Sequence, residues 1–337
     1  MSLPSTLSSA DSSLVSAPVV ASPADMSSHQ AALKSSKKLV NLGIIYGCAA
    51  YTIWGLIPLF FKLLTGIAPL DVLAQRIVWS VPLLWLLVLG LGKGKQLLTA
   101  FRSWKTVRNL VICAVLLSTN WYIFLYATFN NQIMQSSLAY FMLPLFNVLL
   151  GMLFLRERLL PFQMFCVLLA GTGVAIMAIA GGVFPWLAVS LAVTFGLYGL
   201  VHKLTPVDSV VALTIEMMSI LPVSLCYLLM YSPTMTADYW KANPGMIGLI
   251  MFSGVVTSVP LLLFINATKL VRFITLGMMQ YIAPTIQFLL AWQLYHEPFQ
   301  WEKQIAFSFI WVSLIIFMIG SYMATSKAAK VAPISAS

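Results

Sequence analysis

Two apolar stretches of the chain carry an aromatic or amide residue, a proline, an amide and a small residue in the same order, 140 residues apart. The first set, in residues 136–157, is Tyr140, Pro144, Asn147 and Gly151, and the second, in residues 276–297, is Gln280, Pro284, Gln287 and Ala291. Each set is spaced as a single face of a helix. Amides and proline in lipid are costly unless they face a neighbouring helix or a watery cavity. The pattern therefore predicts two matched helices that line one central cavity and bind a solute there.

Three ionisable side chains lie inside stretches that are apolar enough to cross a membrane: Lys62, Arg76 and Glu216. A charge at such a depth must be paired or hydrated, so it indicates a functional site by default. Lys62 is near the end of its stretch, and its side chain can also extend to the membrane interface. We expect Arg76 and Glu216 to face the shared cavity, where they either pair with each other or bind opposite charges on a solute.

Aromatic side chains accompany these polar groups. Trp79 follows Arg76 by three residues and shares its helical face, and Trp121 directly follows the amide Asn120. Aromatic stripes are more often packing surfaces than binding surfaces, and both interpretations stay open. An apolar, aromatic cavity with a few amides suits a small amphipathic organic solute, with a slight preference for anionic or zwitterionic ones. The predicted solute-binding residues are Trp54, Lys62, Arg76, Trp79, Asn120, Trp121, Tyr140, Asn147, Tyr198, Glu216, Gln280 and Gln287.

Other chemistries lack the residues that they need. A hard metal ion requires clustered oxygen ligands, and an enzyme requires catalytic residues in close spacing, whereas the three histidines here are scattered. Residues 92–95 differ from a nucleotide-binding loop in spacing and lack its Ser or Thr. The four cysteines stand singly and are expected to be core residues. We predict no enzyme, metal or cofactor, so uphill transport would use a proton or ion gradient, or exchange.

The elements that position these residues follow from composition. The 337-residue chain is 60% hydrophobic and 8% charged, whereas an ordinary soluble domain has about 25% charged residues. Uncharged gaps of about 20 residues or more predict ten transmembrane helices, with polar breaks at residues 130–132 and 181–185. Residues 1–38 are predicted to be a disordered cytoplasmic tail, and residues 324–337 a second cytoplasmic tail.

The basic residues are distributed unevenly between the two ends of the predicted helices. With the N-terminus in the cytoplasm, fifteen of the nineteen Lys and Arg residues lie on the cytoplasmic side. The net charge of +10 is therefore a topology signal. The expected partners are a small solute and the lipid bilayer, with no nucleic acid.

The two halves of the chain have related patterns. Pro69 and Asp71 open the second predicted helix, and Pro206 and Asp208 open the seventh. Proline and an acid both suit the N-terminus of a helix. Because each half has five helices, the second half would enter from the opposite face of the membrane, as in many secondary transporters. We predict two inverted five-helix repeats, residues 39–182 and residues 183–323.

Proline in the middle of a helix removes one backbone hydrogen bond. Pro144 and Pro284 are expected to free the carbonyls of Tyr140 and Gln280 and to act as hinges in the fourth and ninth helices. Rocking of these helices would open the cavity to one face at a time, which is alternating access. The alternative classes are a membrane enzyme, a channel and a sensor, and solute counterflow separates a carrier from a channel.

Ionisable residues near helix ends are interpreted as structural. Glu157 and Glu297 each end an apolar stretch beside basic or polar neighbours, which favours salt bridging or anchoring at the interface. His202 and Lys203 are expected to be interfacial, with gating of the cavity as an alternative for Lys203.

Several of these motifs resemble those of a known family, the RarD branch of the drug/metabolite transporter superfamily, over about residues 40–325. The motifs are Asn120-Trp121, Ser137 to Phe141 with Pro144 and Glu157, Tyr198-Gly199 with Lys203, and Gln280 to Thr285 with Gln287. The resemblance implies an all-α polytopic membrane protein with ten helices in two EamA-type halves. It also implies a permease in the bacterial inner membrane, with both termini in the cytoplasm.

Overall fold

In the computed structural model of the protein, the described residues are 23–64, 66–129, 133–180, 186–242, 244–294 and 301–331. The chain divides into two units, residues 1–39 and residues 40–337. The described part is helical and contains no β-strand, as the composition predicts.

Thirteen α-helices are present in the described residues. They are α1 (Pro23–Lys62), α2 (Pro69–Gly90), α3 (Gly94–Arg102), α4 (Trp104–Phe129), α5 (Ile133–Phe154), α6 (Pro161–Ala180), α7 (Trp186–Leu204), α8 (Ser209–Tyr231), α9 (Ala237–Ala242), α10 (Met246–Leu270), α11 (Phe273–Met279), α12 (Ile282–Leu289) and α13 (Trp301–Val331). A short 3₁₀ helix (Pro233–Met235) follows α8, and a π-helical turn (Leu290–Leu294) follows α12.

Six helical stretches in the described residues are long and apolar enough to cross a membrane. They are Lys37–Lys62, Pro69–Gly90, Trp104–Phe124, Trp186–Leu204, Ser209–Tyr231 and Met246–Leu270. Shorter apolar stretches are present at Ala139–Phe154, Pro161–Ile176 and Ser308–Gly320. Large apolar side chains are exposed on these helices, such as Leu86 on α2 and Val223 on α8, and lipid is the environment that such surfaces suit.

Both chain ends contain more helix than the predicted tails allow. Helix α1 begins at Pro23, and α13 continues to Val331. Proline is favoured at the start of a helix, and the Ala, Gln, Leu and Lys residues that follow in residues 30–34 are good helix formers. Residues 1–22 and 332–337 of the predicted tails lie outside the described residues.

The predicted ninth helix is interrupted. Residues 280–281 separate α11 from α12, and the backbone N–H groups of Gln280, Tyr281 and Ala283 bond to carbonyls three residues earlier. Pro284 has no N–H to offer the Gln280 carbonyl and disfavours helical geometry in the residue before it. The Gln280 carbonyl accepts instead from Ala283, at 3.3 Å, so it is not free as the sequence analysis expects.

The starts of α2 and α8 agree with the proline-and-acid pattern. Helix α2 begins at Pro69 with Asp71 in its first turn. Asp208 is the N-cap of α8, and its Oδ1 accepts from the backbone N–H groups of Val210, at 2.9 Å, and Val211, at 3.4 Å. These bonds satisfy donors that a helix start otherwise leaves unpaired.

Packing within residues 40–337 brings together helices from both halves of the chain. Helix α2 packs on α8 and α10, α5 on α7 and α11, and α6 on α13. The approach of α10 to α2 is close, because a Cβ atom at Gly254 would lie 2.6 Å from the carbonyl oxygen of Trp79. A buried aromatic core lies among these helices and contains Tyr51, Tyr198, Phe264 and Phe273.

Candidate functional site

Arg76 lies on α2 about two turns from the helix start, with its guanidinium between two aromatic rings. The guanidinium carbon is 5.2 Å from the ring centre of Phe61 on α1 and 5.2 Å from that of Trp121 on α4. Its Nε donates a 2.7 Å hydrogen bond to the Thr257 hydroxyl on α10. Cation–π contacts of this kind stabilise a desolvated guanidinium. Arg76 thus joins three long apolar helices around one positive charge.

No carboxylate within the described residues pairs with Arg76. The ion pairs found there involve other cations, namely Lys93, His202, Lys241 and Arg272. The hydrogen bond to Thr257 uses only Nε, and no other described residue accepts a hydrogen bond from the four N–H groups of the terminal guanidinium nitrogens. An unpaired cation at this depth suits an anionic group on a ligand.

The two amide patterns meet at a second position. Asn147 on α5 donates from Nδ2 to Oε1 of Gln280, at 2.7 Å, and both side chains are buried. Asn147 Oδ1 has no hydrogen-bond partner among the residues that the structure describes. The helices approach closely here, since a Cβ atom at Gly277 would lie 2.8 Å from the carbonyl oxygen of Pro144. Pro144 and Pro284 are both buried.

Gln287 and Trp54 connect α12 to α1. The Nε2 of Gln287 donates to the backbone carbonyl of Trp54 at 3.2 Å. The Trp54 ring packs against Tyr51, Phe195 and Phe264, with ring centres 5.6–5.7 Å apart. Trp54 is therefore part of the aromatic core, and its neighbours are consistent with the packing interpretation of the aromatic stripe.

Glu216 belongs to a different cluster, which is buried between α4, α7 and α8. Its Oε1 is 2.9 Å from Nε2 of His202, and its Oε2 accepts from the Tyr198 hydroxyl at 3.2 Å. The Tyr198 and His202 rings contact edge to face, with centres 4.6 Å apart. Cys113 completes the cluster, because its Sγ lies within 4.8 Å of the potential ligand atoms of His202 and Glu216.

His202 lies in the buried interior of the helix bundle and not at the membrane interface that the sequence analysis predicts for it. An interfacial position was expected, but its side chain is 1% exposed and contacts a carboxylate that is fully buried. The alignment of the 2.9 Å contact does not satisfy a hydrogen bond, and Nδ1 of His202 has no partner among the described residues. Arg76 and Glu216 have separate partners and do not pair directly.

The remaining predicted site residues lie on α1, α2, α4 and α5. Asn120 donates from Nδ2 to the Leu191 carbonyl and the Thr194 hydroxyl, both at 2.9 Å, and so joins α4 to α7. Lys62 is the last residue of α1 and is exposed. Tyr140 lies edge to face with Phe124 and within electrostatic range of Arg76, whereas Trp79 packs on the cluster around Ile250.

One end of the helix bundle is held by bonds from basic residues. Lys93, after α2, forms a 2.6 Å ion pair with Asp208. Lys203 donates to the carbonyls of Thr268 and Val271, at 2.9 and 2.6 Å. Its contacts lie at the C-terminus of α10, where carbonyls lack helical partners.

The pKa of Asp208 is lowered by this arrangement. Burial by itself raises the pKa of the carboxyl, but the bond and charge of Lys93 and the two backbone N–H groups of α8 lower it more strongly. The net pKa lies below its ordinary value of 3.8. Asp208 therefore stays ionised and holds the N-terminus of α8 to Lys93 at neutral pH.

Glu157 has the structural role that the sequence predicts, but with different partners. Its carboxylate accepts from the backbone N–H groups of Phe273, at 2.8 Å, and Ile274, at 3.0 Å, which are the first two residues of α11. The Arg272 side chain lies 3.8 Å away. A carboxylate at a helix N-terminus pairs open donors and suits the helix dipole. Glu297 lies outside the described residues.

An open cleft of about 270 Å³ lies beside α12 and the π-helical turn. Its lining residues are Ile286, Leu289, Leu290, Gln293 and Leu294. Among the described residues, no charged side chain lines this cleft.

Sequence reasoning missed His202, Thr257 and Cys113 as neighbours of the predicted polar residues. A usable signal existed for His202, which like Glu216 lies within about three turns of the short connection between α7 and α8. Thr257 and Cys113 lie in helices distant in sequence from Arg76 and Glu216, and no local pattern indicates their partners.

Comparisons with known proteins agree with this architecture. Residues 41–179 match the EamA-like transporter family. The chain is 39% identical to an uncharacterised transporter of Vibrio cholerae serotype O1, over 82% of this chain and 92% of that one. It is 36% identical to the Protein RarD of Escherichia coli K12, over 87% and 99% of the two chains.

A solved structure described as "Crystal structure of protein" superposes with a TM-score of 0.63, at 16% identity, over 81% of this chain and 96% of that one. This likeness concerns the fold alone. The relatives and the apolar helices together show a multi-pass membrane protein of the transporter class. The chain belongs to the EamA-like transporter family, within its RarD branch.

Proposed function

We propose that the protein is a secondary-active permease that moves a small organic solute with an anionic or zwitterionic group across the bacterial inner membrane. The observation that carries this proposal is the Arg76 guanidinium, which lies between two aromatic rings with no carboxylate partner among the described residues. An apolar site with one fixed cation recognises an amphipathic molecule through its ring or chain and its negative group.

Unpaired polar atoms near the aromatic core support a site for a polar ligand. The Tyr51 hydroxyl, Asn147 Oδ1 and the Ser258 hydroxyl are buried and have no hydrogen-bond partner among the described residues. Buried polar groups are normally paired, so unpaired ones call for an explanation. Hydrogen bonds to a solute during transport would supply the missing partners.

We also propose ten transmembrane helices in two inverted repeats, residues 39–182 and 183–323, with both termini cytoplasmic. Contacts between predicted counterparts support this arrangement, because α2 packs on α8, α5 on α11 and α6 on α13. The Tyr281 hydroxyl donates to the Phe141 carbonyl at 3.2 Å, which joins residues 140 positions apart. Such contacts are expected near a two-fold axis that relates two repeats.

Alternating access is the proposed mechanism. Opening of the end that carries Lys93 and Asp208 would break their ion pair and the Lys203 bonds, while α5 and α12 change their tilt at Pro144 and at the α11–α12 break. Movement of one repeat against the other around a fixed site is how many inverted-repeat transporters work.

A screen by thermal shift tests the solute assignment. Purified wild-type protein, Arg76→Gln and Arg76→Lys are compared against amino acids, nucleosides and antibiotics, and hits are tested for counterflow in proteoliposomes. We expect the hits to carry an anionic group, and their affinity to fall by about tenfold or more in Arg76→Gln, since a charged hydrogen bond contributes about 1.5–3 kcal/mol.

Lys241→Gln is the matched control, because it removes an exposed cation on α9. Its hits and affinities should equal those of the wild type. Flux without saturation or counterflow would identify a channel and refute the proposal. Unchanged affinity in Arg76→Gln would remove Arg76 from the solute site.

A further inference from the structure

We propose that Glu216 and His202 together bind one exchangeable proton inside the helix bundle, as a coupling site separate from Arg76. The proposal rests on the transport function proposed above. Both side chains are at most 1% exposed, and their nearest atoms, Oε1 and Nε2, are 2.9 Å apart. Tyr198 donates to the other carboxylate oxygen at 3.2 Å. A carboxylate and an imidazole this close can hold one proton on either group, and a small rotation of the imidazole would align the two for its transfer.

The charge of the cluster depends on that proton. With one proton bound, the pair is either a neutral acid and a neutral imidazole or an ion pair, and its net charge is zero in both cases. Loss of the proton to water leaves a carboxylate, a neutral imidazole and a net charge of −1. An uncompensated charge in a buried site is strongly unfavourable. The closed arrangement seen here therefore retains the proton, and release requires water or a cation to reach the cluster.

Few other ionisable groups face this pair. Cys113 approaches from α4, and Lys269 on α10 lies within electrostatic range of Glu216. The remaining neighbours of α8 offer no partner in their described residues. On α2, Asp71 accepts a hydrogen bond from Tyr227, and Arg76 donates one to Thr257. The basic residues of α3, Lys95 and Arg102, are exposed.

Lys269 supplies a route for coupling. Its Nζ donates to the Val207 carbonyl, in the connection between α7 and α8. Opening of this end would separate Lys269 from Val207 and give the ammonium access to the deprotonated cluster. Proton release and opening of the same end would then favour each other.

The geometry favours a proton over a metal ion. Cys113, His202 and Glu216 include ligand types that zinc accepts, with their ligand atoms within 4.8 Å of one another. Two ligands held about 2.0–2.1 Å from a tetrahedral zinc ion lie about 3.3 Å or more apart. The direct 2.9 Å contact between His202 and Glu216 is shorter than that separation.

Infrared difference spectroscopy tests the proposal on the purified full-length protein without any solute. Spectra are recorded as the pH is stepped over the near-neutral and mildly acidic range, between about 5 and about 8. We expect a carboxylic-acid C=O band that grows on acidification in the wild type, as molecules whose cluster is reached by water rebind the proton, and that is lost in Glu216→Gln. In Tyr198→Phe the band should persist but move to higher frequency, because the carbonyl loses its hydrogen bond.

Controls separate this result from a general loss of structure. Asp238→Asn changes an exposed carboxyl and should leave the band unchanged. Tyr198→Phe keeps the ring packing and so remains informative if Glu216→Gln is poorly folded. An unchanged band in Glu216→Gln, or no frequency shift in Tyr198→Phe, overturns the proposal. Stoichiometric zinc that is lost in Cys113→Ser overturns it as well.

The outcome is independent of the solute. A protein that shows the Glu216 band but no solute flux would contradict the transport function and leave the proton site intact. Counterflow of a hit from the thermal-shift screen, with the same pH dependence in Glu216→Gln as in the wild type, would overturn the coupling role alone.

Discussion

Asn147 donates a buried 2.7 Å hydrogen bond to Gln280 and thereby joins the interior of α5 to the break between α11 and α12. In the 140-residue pattern, Asn147 corresponds to Gln287 and Gln280 corresponds to Tyr140. The bond therefore connects the third position of the first pattern to the first position of the second pattern. It is a direct link between the two predicted repeats.

Loss of this bond should destabilise the protein. Asn147→Ala leaves the Gln280 amide buried without its partner, at a cost of about 1–3 kcal/mol. We expect a lower thermal unfolding temperature in detergent. Asn120→Ala is a useful comparison because it removes bonds between α4 and α7 only, and it should lower the unfolding temperature by a similar mechanism.

Glu157 is expected to stabilise α11 through its N-terminus. Glu157→Ala removes the acceptor for the Phe273 and Ile274 N–H groups and should reduce the free energy of unfolding by about 1–3 kcal/mol. Denaturant titration of the purified protein measures this loss. Asp238→Asn, in an exposed ion pair with Lys241, should show almost none. Equal effects in the two variants would contradict the capping role.

The ion pair between Lys93 and Asp208 should depend on pH in one direction. The pKa of Asp208 lies below 3.8 in the folded protein. The ion pair therefore stabilises the protein fully above pH 3.8, and this stabilisation is lost as the pH falls through the pKa of the folded state. The stability difference between wild type and Asp208→Asn should therefore be present at neutral pH and shrink in acid.

A second substitution at this position separates the charge from the helix cap. Asn is a good N-cap residue and Ala is not, so Asp208→Ala should cost about 1 kcal/mol more than Asp208→Asn at neutral pH. Thermal unfolding of the wild type, Asp208→Asn and Asp208→Ala measures the contribution of the charge and that of the cap separately. Identical stabilities of the Asn and Ala variants would show that the cap contributes nothing.

Substitution of glycine by alanine should have opposite effects on stability at two positions, the closely packed Gly277 and the open Gly248. Gly277→Ala places a methyl group 2.8 Å from the Pro144 carbonyl and should destabilise by about 1–3 kcal/mol. Gly248→Ala on α10 meets open space and should be neutral or stabilising by up to about 1 kcal/mol. A neutral Gly277→Ala would mean that α5 and α11 separate easily.

The two prolines should differ as hinges. Pro144 lies inside α5, so Pro144→Ala can restore a hydrogen bond to the Tyr140 carbonyl and stiffen the helix. Pro284 lies in the first turn of α12, where an N–H has no partner within α12. We expect Pro144→Ala to slow counterflow more than Pro284→Ala, with little change in solute affinity in either. Slower exchange in Pro284→Ala alone would assign the hinge to the α11–α12 break.

Local sequence signals predicted the helix starts well. The proline and acid at the start of α2, and the Asp208 cap of α8, depend on residues adjacent in the chain, and the structure has them as expected. The predicted polar breaks at residues 130–132 and 181–185 lie outside the described residues. The helix starts follow from backbone chemistry that one residue type determines.

Contacts between distant helices were harder to predict. Helical spacing places Glu216 on a face of α8 but does not say that His202 meets it, so His202 was wrongly assigned to the interface. The interruption at residues 280–281 was also missed, because the pattern locates Pro284 without saying which neighbour replaces the lost backbone bond. Tertiary packing decides both, since many arrangements satisfy the same hydrophobic periodicity.

The carboxylate of Glu157 ties the segment after α5 to the first residues of α11, while residues 280–281 join α11 to α12 through bonds to carbonyls three residues earlier. Bending of α12 relative to α11 would therefore be concentrated at residues 280–281 and would not be transmitted along one rigid helix. In the proposed alternating-access cycle, the seven-residue helix α11 would then stay anchored while α12 changes its tilt.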